Sequence, residues 1–399
     1  MVNLLTFLGT GRYEQTCYTW EQSRIQTCYV AEALIDLFKP EAVSVFMTTQ
    51  AEESHWQNFK TTLGHKAVLQ PISIPNARSE PEVWDIFSTV VSKVDSDSEI
   101  IFDITHAFRS IPFLVLLVIG FLRRAKNVDV RGVYYGLYER ESLENPILDL
   151  TPAVTLFDWL TATDKFISTG SSTELGRLLR NVQANLHRQG AANRPTQLIN
   201  LSNNIEAISL AIETIRGQDL IEQASRLKKL STFRLLNELG AFARPFELIF
   251  DQIQADYGQF AIEEPNSSDD IKILNKQFLL IQWYTRQDLT TQAILMAREW
   301  IVSVLHLKSG YQYCDKHSRR DIEDQLNRLD SENSDLNQPV AAHVTQPEKL
   351  DELWSRLTTY RNDIAHAGER PHPASARAIQ TYVRERLVQD LTNLFPDLA

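Results

Sequence analysis

The chain has no long hydrophobic run, few cysteines and no surplus of positive charge, and each shortage removes a class of protein. Its longest apolar stretch, Ile111 to Leu122, is too short to span a bilayer and follows a strand-turn signal. It reads as a buried helix, and no membrane partner is expected. Three cysteines (Cys17, Cys28, Cys314), unclustered and odd in number, argue against a disulfide framework or a structural zinc site and for a reducing cytoplasm. The start, Met1-Val2-Asn3-Leu4, lacks a basic region ahead of an apolar one, so no secretory signal is expected. A net charge of −11 disfavours broad binding to duplex nucleic acid, which rests on phosphate neutralisation. Any nucleic acid bound should be small or gripped by a local patch. No His-Glu-x-x-His is present, and His306, His317, His343 and His372 lack the one-face spacing of a metal site, so neither metal nor cofactor is expected. What is present, 399 residues of which 43% are hydrophobic, suffices for two or three domains with real cores.

The first part alternates strand and helix. Near-continuous apolar segments predict strands over 2–8, 42–48, 67–74, 99–104 and 128–138, with 147–150 a short partner for the last. Helices are predicted over 22–38, 52–63, 80–94 and 111–125. Such alternation implies a mostly parallel, Rossmann-like sheet covered by helices on both faces. From about Pro152 onward the pattern is helical throughout. Gly170 marks a break, after which Leu175, Leu178, Leu179, Val182 and Leu186 form an amphipathic helix. Several helices follow over 199–257, then a linker-like 263–270, two helices over 271–307, a polar loop over 331–347 and helices over 350–367 and 374–394. The expected fold class is α/β plus all-α, with domains at 1–160, 161–270 (a helical connector) and 271–399.

Two constellations carry chemistry. Near the C-terminus, Leu353, Leu357, Tyr360 and Ile364 make one apolar stripe, which leaves Asn362 and His366 on the solvent side and Arg361 on its flank. Gly368 and Pro371 end that helix, placing His366 in its last turn. An arginine to stabilise phosphate charge and a histidine to move protons are what metal-free RNA cleavage through the 2′-hydroxyl needs. The bare pattern should arise by chance about once or twice in a chain this long. It recurs at Arg180-Asn181 leading to His187. In the N-terminal part, strand one runs into Gly9-Thr10-Gly11-Arg12 and the strand over 99–104 into Asp103-Ile104-Thr105-His106-Ala107-Phe108-Arg109-Ser110. If these strands are neighbours at the switch point of a doubly wound sheet, both loops face the ligand crevice. Backbone N–H groups at Gly9 and Gly11, with Thr10, Thr105, His106 and Arg109, would then make an anion-binding rim. Glu14 stands where a dinucleotide fingerprint needs its third glycine, and a P-loop is absent. His55, Trp56, Trp84 and Trp159 read as surface or core residues, and Glu299 as a partner of Arg361 or of a neighbouring cation.

Together, Asp-Ile-Thr-His-x-Phe-Arg-Ser at residues 103–110, the Gly-Thr-Gly loop and the C-terminal Arg-Asn-x-x-x-His resemble the CARF-HEPN accessory ribonucleases of type III CRISPR systems, of the Csx and Csm kind. The resemblance implies an N-terminal CARF sensor, a helical connector and a C-terminal HEPN domain. It implies a homodimer, or a higher oligomer, binding one cyclic oligoadenylate across its two-fold axis, with cyclic tetra-adenylate favoured. Gly9, Thr10, Gly11, Arg12, Thr105, His106 and Arg109 match the ligand-binding positions; Arg361, Asn362 and His366 match the HEPN motif. The implied activity is metal-independent cleavage of single-stranded RNA, leaving a 2′,3′-cyclic phosphate. The alternative is a non-catalytic sensor: a scaffold, or a regulator using Gly217 to Leu230 as a basic helix. A sensor that degrades its own cyclic activator is compatible with either.

Overall fold

The computed structural model describes residues 2–106, 111–188, 195–230, 232–263, 270–311, 316–329 and 338–398, with backbone alone for 111–112, 185–188 and 245. The chain divides into two compact units, Met1–Asp158 and Trp159–Ala399.

In the first unit, β1 (Val2–Leu8), β2 (Thr16–Trp20), β3 (Ser23–Thr27), β4 (Ala42–Met47), β5 (Val68–Ser73), β6 (Glu99–Asp103), β7 (Asp129–Gly136) and β8 (Asn145–Asp149) form one sheet in the order β3-β2-β8-β7-β6-β1-β4-β5. The five strands from β7 to β5 are mutually parallel, whereas β8 runs antiparallel to β7. Both faces are covered, which is why β1 is buried continuously from Leu4 to Leu8. Side chains alternate between the two faces. Leu5 and Phe7 pack beneath α4 (Glu80–Ser92) and α5 (Ile111–Ala125), with Ile86, Val118 and Leu122. Leu4 and Leu8 pack beneath α1 (Val30–Phe38) and α3 (Gln57–Leu63), with Leu34 and Phe59. The short α2 (Thr49–Ala51) reaches α3 through a π-helical turn, Glu52–Trp56.

The expected helix over 22–38 is corrected. It begins only at Val30; Ser23–Thr27 is a strand paired antiparallel with Thr16–Trp20 around a tight turn in which Glu21 has φ +50°. Ile25 and Tyr29 fit helical spacing, but Thr16, Thr19 and Thr27 favour the hairpin, with Thr16 and Thr27 both buried. Trp84, read as core, stands 59% exposed, because α4 buries Ile86 and Val90 instead.

The second unit is helical among its described residues. α6 (Thr151–Thr169), in which the division falls, leads to α7 (Thr173–Arg188), α8 (Leu198–Glu213), α9 (Gly217–Leu230), α10 (Phe233–Phe242) and α11 (Arg244–Gly258). Then come α12 (Asp270–Arg286), α13 (Thr290–Lys308), α14 (Lys316–Leu329), a 3-10 turn (Pro339–His343), α15 (Pro347–Ala365), α16 (Ala376–Tyr382) and, after a π-helical turn (Val383–Leu387), α17 (Val388–Leu394). Most of the linker-like 263–270 and of the polar 331–347 lies outside the described residues. One core runs through the whole unit, from Trp159 to Phe395. Segments 161–270 and 271–399 therefore share it. Gly217 lies so close under Met296 that a Cβ there would come within 2.8 Å of the Met296 Cε, and Lys276 Nζ donates to the Gln259 carbonyl at 2.6 Å. No described helix is long and apolar enough to cross a membrane.

Trp300 sits at the middle of this core, fully buried, its indole N–H donating to the Leu274 carbonyl at 2.9 Å and its ring packed on Phe278 and Phe395. Trp300→Ala should cost about 3–5 kcal/mol in urea unfolding followed at the second unit. A loss below about 1 kcal/mol would contradict a single shared core.

Candidate functional site

At the sheet, β1 and β6 are direct neighbours in the register Thr6↔Asp103, so the loops after them meet at the carboxyl ends of the strands. Asp103 is fully buried, accepting from the Thr6 hydroxyl at 2.8 Å and from the Thr105 N–H at 3.0 Å. Thr105 Oγ1 in turn accepts from the Gly136 N–H on β7 at 2.8 Å. The approach is closest at Gly9, where a Cβ would stand 2.6 Å from the His106 carbonyl oxygen. Only glycine lets the two loops touch. Its N–H is engaged inside the loop by the Tyr13 hydroxyl (2.9 Å), which donates back to the Gly9 carbonyl (3.2 Å). Gly9 thus shapes the loop and does not present its own amide to a ligand. Thr10, Gly11 and Arg12 are exposed beyond it. Arg109 lies outside the described residues.

Three aromatic rings converge here. Tyr13 packs edge-on against His106 (centroids 4.6 Å) and against His55 (4.8 Å), which the π-helical turn after β4 carries into the crevice. Burial pushes the Tyr13 phenol well above its ordinary value, so it stays protonated. His106 Nε2 is shielded from solvent and has no hydrogen-bond partner among the described residues. Burial lowers the His106 pKa; Asp103 opposes this and His55 adds to it. Asp103 opens the motif at 103–110 but carried no role of its own in the sequence, His55 had the look of a surface residue, and Tyr13 gave no signal. A charged residue closing the apolar strand Glu99-Ile100-Ile101-Phe102 was the signal available for the first.

In the second unit, α15 buries Leu353, Trp354 and Leu357, with Tyr360 and Ile364 partly covered, which turns Arg361 and His366 out to solvent. Arg361 donates to Asn362 Oδ1 at 2.9 Å and has no acidic partner among the described residues. His366 caps the helix, and Ala367 (φ +52°) and Gly368 (φ +76°) turn the chain away. Asp363, between them in sequence, is only 4% exposed. Its carboxylate accepts from Arg370 at 3.2 Å and from the Ala374 N–H at 3.0 Å, while its carbonyl accepts from Gly368 N–H at 2.7 Å. Asp363 therefore closes the loop leaving His366, a role missed in the sequence. Glu299 pairs with Arg319 (3.0 Å) and Arg298 (3.3 Å), not with Arg361. Arg180 is taken by Glu206 and by Ser202, and the His187 side chain lies outside the described residues.

Because His106 is neutral in the folded state below its ordinary value of 6.5, folding excludes a proton that the unfolded chain binds. The stability it contributes is present above pH 6.5 and is lost as pH falls towards the depressed folded value. Thermal melts of the first unit should shift downward from pH 7 to pH 5, and His106→Asn should flatten that dependence; a variant with the slope of the parent would refute it.

Residues 3–139 match the family model of the CARF domain of the CRISPR system endoribonuclease Csx1, and residues 155–267 that of the second domain of the CRISPR-associated protein MJ1674. Over 170 residues, 41% of this chain, the sequence is 36% identical to the CRISPR-associated protein MJ1674 of Methanocaldococcus jannaschii. The match spans 24% of that relative's length. Among solved structures, Enterococcus italicus Csm6 bound to cyclic hexa-2'-fluoro-hexa-dAMP aligns over 100% of this chain and 95% of its own, with 9% identity and a TM-score of 0.42. The two family models fall on successive parts of the chain, and both describe domains of CRISPR-associated proteins.

Proposed function

We propose that the chain is a metal-independent endoribonuclease, activated by a cyclic oligoadenylate, that cleaves single-stranded RNA in type III CRISPR antiviral defence. The observation that carries this is the exposed Arg361, without an acidic partner among the described residues, beside Asn362 and His366 at the end of a core helix, in a chain whose residues 3–139 match a CARF domain. His366 takes the proton of the ribose 2′-hydroxyl or returns one to the departing 5′-oxygen. Arg361 stabilises the charge on the pentacoordinate phosphorus, and Asn362 orients the guanidinium. The products are a 2′,3′-cyclic phosphate and a 5′-hydroxyl. Two copies of the motif, one from each HEPN domain of a homodimer, make one site. Thr10, Gly11, Arg12, Thr105 and His106 face the activator, with Gly9 holding the loops together; Arg109, outside the described residues, is assigned to the same ligand by its place in the motif at 103–110. The activator switches the enzyme only to the extent that it binds one state of the dimer more tightly than the other.

A dimer is supported by the outer face of the first unit. Phe113, Leu117 and Phe121 recur at four-residue spacing on α5 and are 70%, 48% and 44% exposed; Phe87 joins Phe121 to the exposed Trp84. A contiguous apolar face of this kind is a contact surface, here for a second copy.

Purified protein should cleave a single-stranded RNA with cyclic tetra- or hexa-adenylate present and in EDTA, and His366→Ala should lower the rate by about a hundredfold or more. Cleavage that survives in His366→Ala sinks the assignment. Phe113→Glu should raise the dimer dissociation constant at least about tenfold in analytical ultracentrifugation. An unchanged dimer removes this face from the interface.

A further inference from the structure

Helices α8 and α9 pack side by side and leave an open groove of about 420 Å³ between them, within the range of small-molecule sites. Its lining is unusual for a helix pair. Asn200, Asn203 and Asn204 come from α8, and Gln223, Arg226 and Lys229 from α9. Asn204 is 5% exposed; its Nδ2 donates to the Gln223 carbonyl (3.0 Å) and to Gln223 Oε1 (3.1 Å). Its Oδ1 is buried with no partner among the described residues. A buried acceptor left without a donor is costly and rare. At the rim, Arg226 is tied to Glu222 at 2.5 Å, whereas Lys229 is exposed and has no carboxylate partner among the described residues. The carbonyl end of α9 accounts for a lysine there. It does not account for four carboxamides or for the unmet oxygen.

Carboxamides present a donor and an acceptor in one plane, as the edges of nucleobases do, and Arg and Lys meet phosphate. From this juxtaposition we infer that the α8–α9 groove binds a phosphorylated nucleoside, with Asn204 Oδ1 accepting a base N–H and Lys229, flanked by Arg226, meeting the phosphate. Ala207 and Leu230 supply the apolar surface against which a base lies. The same chemistry is offered by a free nucleotide and by one unit of an RNA strand. The inference is independent of the ribonuclease assignment, since none of its residues belongs to the Arg361 or Thr105 constellations.

Calorimetric titration of the full chain with AMP, CMP, GMP and UMP tests it, with ribose 5-phosphate as the base-less control and a trinucleotide RNA titrated into the His366→Ala chain. At least one mononucleotide should bind saturably, about tenfold or more tighter than ribose 5-phosphate. Lys229→Ala should weaken the nucleotide about fivefold or more and leave the matching nucleoside unchanged. Asn204→Leu should abolish discrimination among the bases. Lys229 is exposed and tolerates substitution, so it decides the matter even if the Asn204 variant fails to fold. A trinucleotide that binds tighter than every mononucleotide identifies an RNA strand as the source; equal affinity identifies a free nucleotide. No saturable binding at millimolar nucleotide, binding indifferent to Lys229→Ala, or ribose 5-phosphate binding as tightly as the nucleotides overturns the inference.

Discussion

The carboxylate of Asp103 is the constraint on which the N-terminal crevice depends. A fully buried carboxylate is tolerated only where donors surround it, and here they come from two places: the Thr6 hydroxyl on the neighbouring strand and the Thr105 amide two residues on. The first bond locks the register of β1 against β6; the second bends the chain at the end of β6. Once it is bent, Thr105 Oγ1 meets the Gly136 amide and the His106 carbonyl comes down on Gly9. The residues proposed to face a ligand, Thr10 to Arg12 and Thr105 to His106, are thus positioned by residues outside that set.

Asp363 does for the helical unit what Asp103 does for the sheet. It too is a buried carboxylate whose partners lie further along the chain, in Arg370 and the Ala374 amide. Around it the helix stops, and Ala367 and Gly368 take left-handed conformations that send the backbone back towards those donors. In both units the groups suited to chemistry, half-buried at Thr105 and His106 and exposed at Arg361 and His366, adjoin an acid that is hidden.

Much of this was legible in the sequence, and the limits were physical. Continuous apolar runs announced the parallel strands, since a strand covered on both faces has no polar side to show, and β1 does stand beside β6. The helical face that turns out Arg361 and His366 followed from 3.6-residue periodicity alone. The hairpin at 16–27 was missed because Ile25 and Tyr29 fit both periods, and only the buried threonines separate them. His55 was missed because a π-helical turn, which has no sequence signature of its own, decides where it points. Asp103 and Asp363 were invisible as anchors because their partners are backbone amides as much as side chains, and amides are present at every position.

The arginines of the second unit give the recurring Arg-to-His pattern its physical discrimination. Arg180 is held by Glu206 and Ser202, Arg319 by Glu299 and Ser303, Arg370 by Asp363 and Arg384 by Asp288. Arg298 lies over the Trp354 ring and Arg356 over that of Tyr382. A guanidinium held by a carboxylate has little left to offer a phosphate. Among the described residues Arg361 donates only to the neutral carboxamide of Asn362. Its full charge therefore stays directed at solvent, one helical turn from His366, and that difference in electrostatic freedom, more than spacing, sets 361–366 apart from its twin at 180–187.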